Sequence, residues 1–102
     1  MSGVDEPREL SLPAVLAALS DPTRLAVVAQ LMAAREMPCG ALTVSVAKST
    51  LSQHLRVLRE AGITHTRPDG TQRMLSVRRD DLDRAFPGLL DAVVGALAGV
   101  NR

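Results

Sequence analysis

The sequence predicts a mainly α-helical domain carrying one β-hairpin, and three observations lead there. Apolar residues recur at helical spacing in four separate stretches, at 12–19, 25–32, 51–58 and 89–100. The period shortens to a strand-like alternation only between Ile63 and Val77, and Asp69-Gly70 divides that region in two. At 102 residues and 46% hydrophobic content the chain has the size of one domain, with a core small enough that a partner subunit would help to cover it.

The first nine residues, MSGVDEPRE, are polar and without periodicity and read as a flexible arm (1–9), leaving 10–102 as a single domain. Leu12, Val15, Leu16 and Leu19 mark a first helix. Ser20-Asp21-Pro22 then supplies a capping side chain and a proline suited to the first turn of a second helix, expected over Pro22–Ala34. Its apolar face is Leu25, Val28, Leu31 and Met32, with Arg24 and Gln30 outside, and Met37-Pro38-Cys39-Gly40 ends it. Leu42, Val44 and Val46 alternate like a strand where a short helix suits the surrounding pattern, so Ala41–Ala47 is expected to form a short irregular helix.

Lys48 or Ser49 opens the next helix, whose core stripe is Leu51, Leu55 and Leu58 and whose terminator is Gly62. Ile63–Arg67 and Thr71–Val77 are the strands of a hairpin joined through Pro68-Asp69-Gly70, because glycine accepts the positive φ that such a turn requires. Asp80 or Asp81 can cap a short turn through Leu82 and Phe86, Pro87-Gly88 breaks it, and Leu89–Val100 forms the last helix. Helix, helix, short helix, polar-faced helix, hairpin, helix is the order of a winged helix-turn-helix.

Composition narrows the function. Phe86 is the only aromatic residue, which argues against modules that stack bases on aromatic platforms. The net charge of +1 conceals an uneven distribution: Lys48, Arg56, Arg59, Arg67, Arg73, Arg78 and Arg79 face only Glu60 and Asp69 within residues 48–79, and the remainder of the chain is net acidic. A basic third inside a nearly neutral protein is what a local phosphate-binding surface produces. Cys39 is the sole cysteine, so no intrachain disulfide can form. No charged start followed by an apolar run marks a signal peptide, and the cytoplasm is the expected location. The apolar stretch 85–100 contains Pro87 and Asp91 and is shorter than a bilayer span.

The basic third coincides with the polar-faced helix. With its leucines turned inward, Ser49, Thr50, Ser52, Gln53, Arg56 and Arg59 face out or flank the stripe, and Lys48 adds a cation at the start. Short hydroxyls near a helix N-terminus can approach bases or phosphates. Gln53 can make a two-point contact with adenine in the major groove, and Arg56 can neutralise a phosphate or read guanine. Arg67 and Arg73 sit near the hairpin tip, where a wing would meet the DNA backbone or minor groove.

Three stretches together resemble the ArsR/SmtB family of bacterial winged-helix transcriptional repressors. They are Leu19-Ser20-Asp21-Pro22-Thr23-Arg24-Leu25, then Ser49-Thr50-Leu51-Ser52-Gln53-His54-Leu55-Arg56-Val57-Leu58-Arg59-Glu60-Ala61-Gly62-Ile63, then a wing with Arg67, Gly70 and Arg73. The run Arg84–Leu90 is similar to one actinobacterial group of that family. The resemblance implies that Ser49, Thr50, Ser52 and Gln53 approach bases or phosphates, that His54 and Arg56 make backbone contacts or pack against DNA, and that Arg67, Thr71, Gln72 and Arg73 are wing contacts. It also implies a homodimer formed by the first and last helices, through Leu12 and Leu16 and through Leu89, Leu90, Val93, Val94 and Leu97. The apolar band of the last helix, wider than one small core can cover, supports this independently. Such a dimer would bind double-stranded DNA at an imperfect inverted repeat.

Metal-sensing members of that family carry a Cys-x-Cys pair on the third helix or an Asp-x-His motif on the last. Here Cys39 stands alone and Asp91 has no histidine near it, so neither a metal nor another cofactor is expected. Ser52 and His54 lie two apart on a helix and cannot face each other, which leaves no nucleophile–base pair and no sign of an enzyme. Two other readings stay open at this point. One is a winged-helix adaptor for a protein partner, or a regulator with a protein co-regulator. The other is a metal- or redox-responsive repressor using Cys39.

Overall fold

A computed structural model describes residues 9–99 and the backbone of Val100. Most of the expected N-terminal arm therefore lies outside the described residues. The elements run α1 (Leu12–Ala18), α2 (Pro22–Ala34), β1 (Glu36–Pro38), a 3-10 turn (Cys39–Ala41), α3 (Lys48–Glu60), β2 (Thr64–Asp69), β3 (Gln72–Val77), α4 (Arg79–Ala85) and α5 (Leu89–Val100). This is the winged helix-turn-helix that the sequence predicts.

The helix ends follow from local chemistry. Ser11 caps α1, accepting from the Ala14 amide, and Asp21 caps α2, accepting from the Arg24 amide at 3.0 Å with Pro22 in the first turn. Helix α3 ends in a Schellman motif: Gly62 has φ 84°, its amide donates to Arg59 O, and the Ile63 amide donates to Leu58 O. That motif sets Leu58 and Ile63 side by side, and both are fully buried in the core with Val15, Val27, Val28, Leu31 and Leu75.

Four local expectations are corrected. The sheet has three strands, ordered β1-β3-β2, because Glu36–Pro38 pairs antiparallel with Met74–Ser76 where only the end of α2 was expected. The hairpin loop is Gly70-Thr71 alone, since the strands pair out to Asp69↔Gln72. Gly70 has φ 62°, and Arg35 is the only non-glycine with positive φ among the described residues, so the loop has the II′ form. Pro68 is accommodated because β2 is an edge strand. Asp80 and Asp81 fall inside the first turn of α4, which starts after Arg78.

The fourth correction concerns 41–47, where no helix forms beyond the 3-10 turn. Gln30 explains the difference. Its side chain, expected on the outside, donates to Thr43 O and accepts from the Thr43 amide, both at 2.9 Å. These two bonds supply what a helix would otherwise give that backbone, while Leu42 and Val44 pack on the core.

Arg35 closes α2 with φ 69° and ψ −57° and an exposed side chain, a sparsely populated conformation for a residue with a Cβ. Arg35→Gly is expected to raise stability by about 1 kcal/mol, the relieved strain exceeding the added unfolded-state entropy. Urea melts of the two proteins measure it, and a lower midpoint for the glycine variant would contradict it.

Candidate nucleic-acid interface

Leu51, Leu55 and Leu58 turn one stripe of α3 into the core, so the opposite stripe must face solvent. Lys48, Ser49, Thr50, Ser52, Gln53 and Arg56 are all exposed on it. No side chain caps the N-terminus of α3, where Ala47 is the flanking residue, leaving its first-turn amides to an anion such as a phosphate. Arg56 pairs with Glu60 one turn on, at 3.3 Å. Both side chains are exposed, so a phosphate can replace the carboxylate at little cost.

The hairpin sorts its side chains by the alternation of its strands. Arg73 opposes Pro68, Met74 opposes Arg67 and Leu75 opposes Thr66, so Arg73, Leu75 and Thr66 share the face toward the helices, and Arg67 and Met74 share the other. Thr71, Gln72 and Arg73 are exposed at the tip. Arg67, also expected as a wing contact, makes a two-point pair with Glu36 of β1 through its guanidinium, at 2.9 and 3.1 Å. Its bond to Arg67 holds the Glu36 carboxyl below its ordinary value of 4.5.

His54, expected to make backbone contacts or to pack against DNA, is drawn inward. It is only 18% exposed, its Nδ1 lies 3.1 Å from Arg24 Nη1, and Asp21 Oδ2 stands 3.8 Å away. Arg24 in turn donates to the carbonyls of Ala17 and Ala18. One guanidinium, expected outside, thus joins the end of α1, the start of α2 and the middle of α3. His54 turns toward this junction. The amide of Arg24 is the main cause holding Asp21 below its ordinary 3.8. In sequence Asp21 reads as a cap and Arg24 as a surface charge. The signal that could have united them with His54 was the need of a half-buried histidine for a polar partner.

A group whose pKa is lowered on folding contributes stability that is present above its unfolded value and lost as pH falls through its folded value. Asp21 and Glu36 are both of this kind, so stability should decline on acidification below about pH 4.5. Melts from pH 7 to pH 3 should show a shallower decline in Glu36→Gln, and an unchanged profile would exclude the pair as a contributor.

Among the residues expected at a dimer surface, Leu12 and Leu16 are 42% and 45% exposed, and Leu89, Val93, Val94 and Leu97 are half-buried. Leu90 is corrected: at 3% exposure it belongs to the core of its own chain, since its helix packs on α2 and α4. Among the described residues no group of three or more His, Cys, Asp or Glu side chains is placed to hold a metal ion, and no single helix is long and apolar enough to cross a membrane.

The chain resembles known proteins over most of its length. A helix-turn-helix domain profile matches residues 19–67. The HTH-type transcriptional regulator YceK of Bacillus subtilis (strain 168) is 37% identical over 82 residues, covering 78% of this chain and 82% of that protein. The crystal structure of the transcriptional repressor BigR from Xylella fastidiosa superposes with a TM-score of 0.67 at 32% identity, covering 83% and 84% of the two chains. That of NolR from Sinorhizobium fredii gives 0.66 at 28% identity, covering 92% and 96%.

Proposed function

The chain belongs to the ArsR/SmtB family of winged helix-turn-helix transcriptional regulators, which are not enzymes, and from that premise we propose that it is a cytoplasmic homodimeric repressor of a double-stranded operator. One observation carries the proposal: a continuous polar row on α3, exposed among the described residues, lies beside an exposed hairpin tip. In this reading Ser49, Thr50, Ser52 and Gln53 approach bases and phosphates in the major groove, and Lys48, Arg56 and Arg73 neutralise phosphates. Thr71 and Gln72 add wing contacts. His54 and Arg67 act indirectly, the first by orienting α3 and the second by bracing the wing through Glu36.

The dimer would cover Leu12, Leu16, Leu89, Val93, Val94 and Leu97. Exposed Gly95, Ala96 and Ala98 on α5 allow close helix approach. Two α3 helices related by a twofold axis enter successive major grooves, so the operator is an inverted repeat with half-sites about 10 bp apart or a multiple of that. Occlusion of a promoter then gives repression.

Footprinting on the promoter of its own operon, over a range of salt concentrations, tests this. Three cations per protomer give six phosphate contacts per dimer, so log affinity should fall against log salt with a slope of about −5. The expected result is protection of an inverted repeat. No protected repeat, or a slope near zero, would reject the proposal, and protein capture by the same α3 face would then become the better reading.

A further inference from the structure

A cleft of about 300 Å³ opens between α3 and the inner face of the sheet, walled on one side by Ser52, Leu55 and Arg59 and on the other by Thr66, Arg73 and Leu75, with Cys39 at one end. Arg59 lies seven residues after Ser52, two turns along the same side of the helix, so both line the cleft at the edge of the outer row. No ion pair within 4.0 Å joins Arg59 or Arg73 to a carboxylate among the described residues, and Glu36, Glu60, Asp21 and Asp81 pair with other side chains. Two arginines and two hydroxyl residues therefore line the cleft together with Leu55, which is half-buried, and Leu75, which is buried.

We propose that this cleft binds a small amphipathic monocarboxylate, its anionic head between Arg59 and Arg73 and its apolar body on Leu55 and Leu75. Uncompensated cations over an apolar floor select an anion with an apolar part. The volume admits about ten heavy atoms at roughly 30 Å³ each and lies at the small end of ligand pockets. A DNA phosphate would meet Arg73 at the rim but would leave the floor uncovered.

A regulatory consequence rests on the operator-binding reading above. Ser52 and Arg73 belong both to the cleft and to the proposed DNA surface, so a bound carboxylate and DNA exclude each other and the ligand acts as an inducer. By linkage, the factor by which it weakens DNA binding equals the factor by which DNA weakens its own binding.

The test uses the full chain without DNA first. Benzoate titrated into ¹⁵N-labelled protein should give saturable shifts at Leu55, Thr66 and Leu75, with its neutral isostere benzamide and inorganic phosphate giving much weaker ones. Arg59→Ala should weaken benzoate about tenfold, the loss expected for one charge-assisted contact, and Arg59→Lys should recover part of it. In the second arm benzoate should release an operator duplex from the wild type, whereas Arg59→Ala should bind the duplex normally and resist release. No saturable shift, equal response to benzamide, or unchanged affinity in Arg59→Ala would overturn the site. Shifts without release would overturn its regulatory role. A wild type that binds no duplex would refute the operator reading, while the DNA-free titration would still judge the cleft.

Discussion

Gln53→Ala is expected to lower operator affinity by about 2–6 kcal/mol, roughly thirtyfold to twenty-thousandfold, because one bidentate base contact of about 1–3 kcal/mol is lost from each protomer of the dimer. Gln53 is exposed on the outer row of α3, so its removal should change folding stability by less than about 0.5 kcal/mol. Fluorescence anisotropy on an operator duplex at fixed salt measures the first quantity and thermal melts the second. The loss should be concentrated on the cognate sequence, leaving binding to random duplex nearly unchanged. Arg56→Ala should behave differently, weakening all duplexes alike and reducing the salt slope by about two, one phosphate per protomer. If both variants keep full operator affinity, α3 does not read DNA.

The second large effect is on folding. Leu58 is fully buried, at the point where the Schellman motif turns the chain from α3 into β2, and its side chain lies in the core with Ile63, Leu31 and Leu75. Leu58→Ala should destabilise the protein by about 2–5 kcal/mol, combining lost transfer energy with a cavity that the surrounding helices cannot fill. For a domain of this size that lowers Tm by roughly 10–30 °C, against a total stability of about 5–15 kcal/mol. Its sequence neighbour Val57 is 38% exposed, and Val57→Ala should cost under about 1 kcal/mol. Melts at a single protein concentration compare the two, since dimerisation would make Tm concentration-dependent. Similar Tm values for both variants would contradict the placement of Leu58 at the centre of the core.

Helices α1, α2, α3 and α5, the hairpin and the outward row of α3 are legible from residue order, for the same physical reason. Helix periodicity, Asp21 and Pro22 at an N-terminus, Gly62 at a C-terminus and Gly70 in a tight turn are all decided within a few residues of chain. Even the polar row follows from local spacing, once Leu51, Leu55 and Leu58 are assigned to the core.

The features that escape a linear reading depend on partners far apart in sequence. Gln30 holds Thr43 and thereby replaces a helix by an extended segment. Glu36 reaches across β3 to pair with Arg67. Arg24 meets His54 thirty residues on and draws it into the junction of α1, α2 and α3. Leu90 goes to its own core, and Arg59, with the character of a surface charge, lines a cleft with Arg73. Polar side chains and a uniformly apolar helix have several acceptable environments of similar energy, and the choice among them is made by which donor, acceptor or apolar wall the packed chain brings within reach.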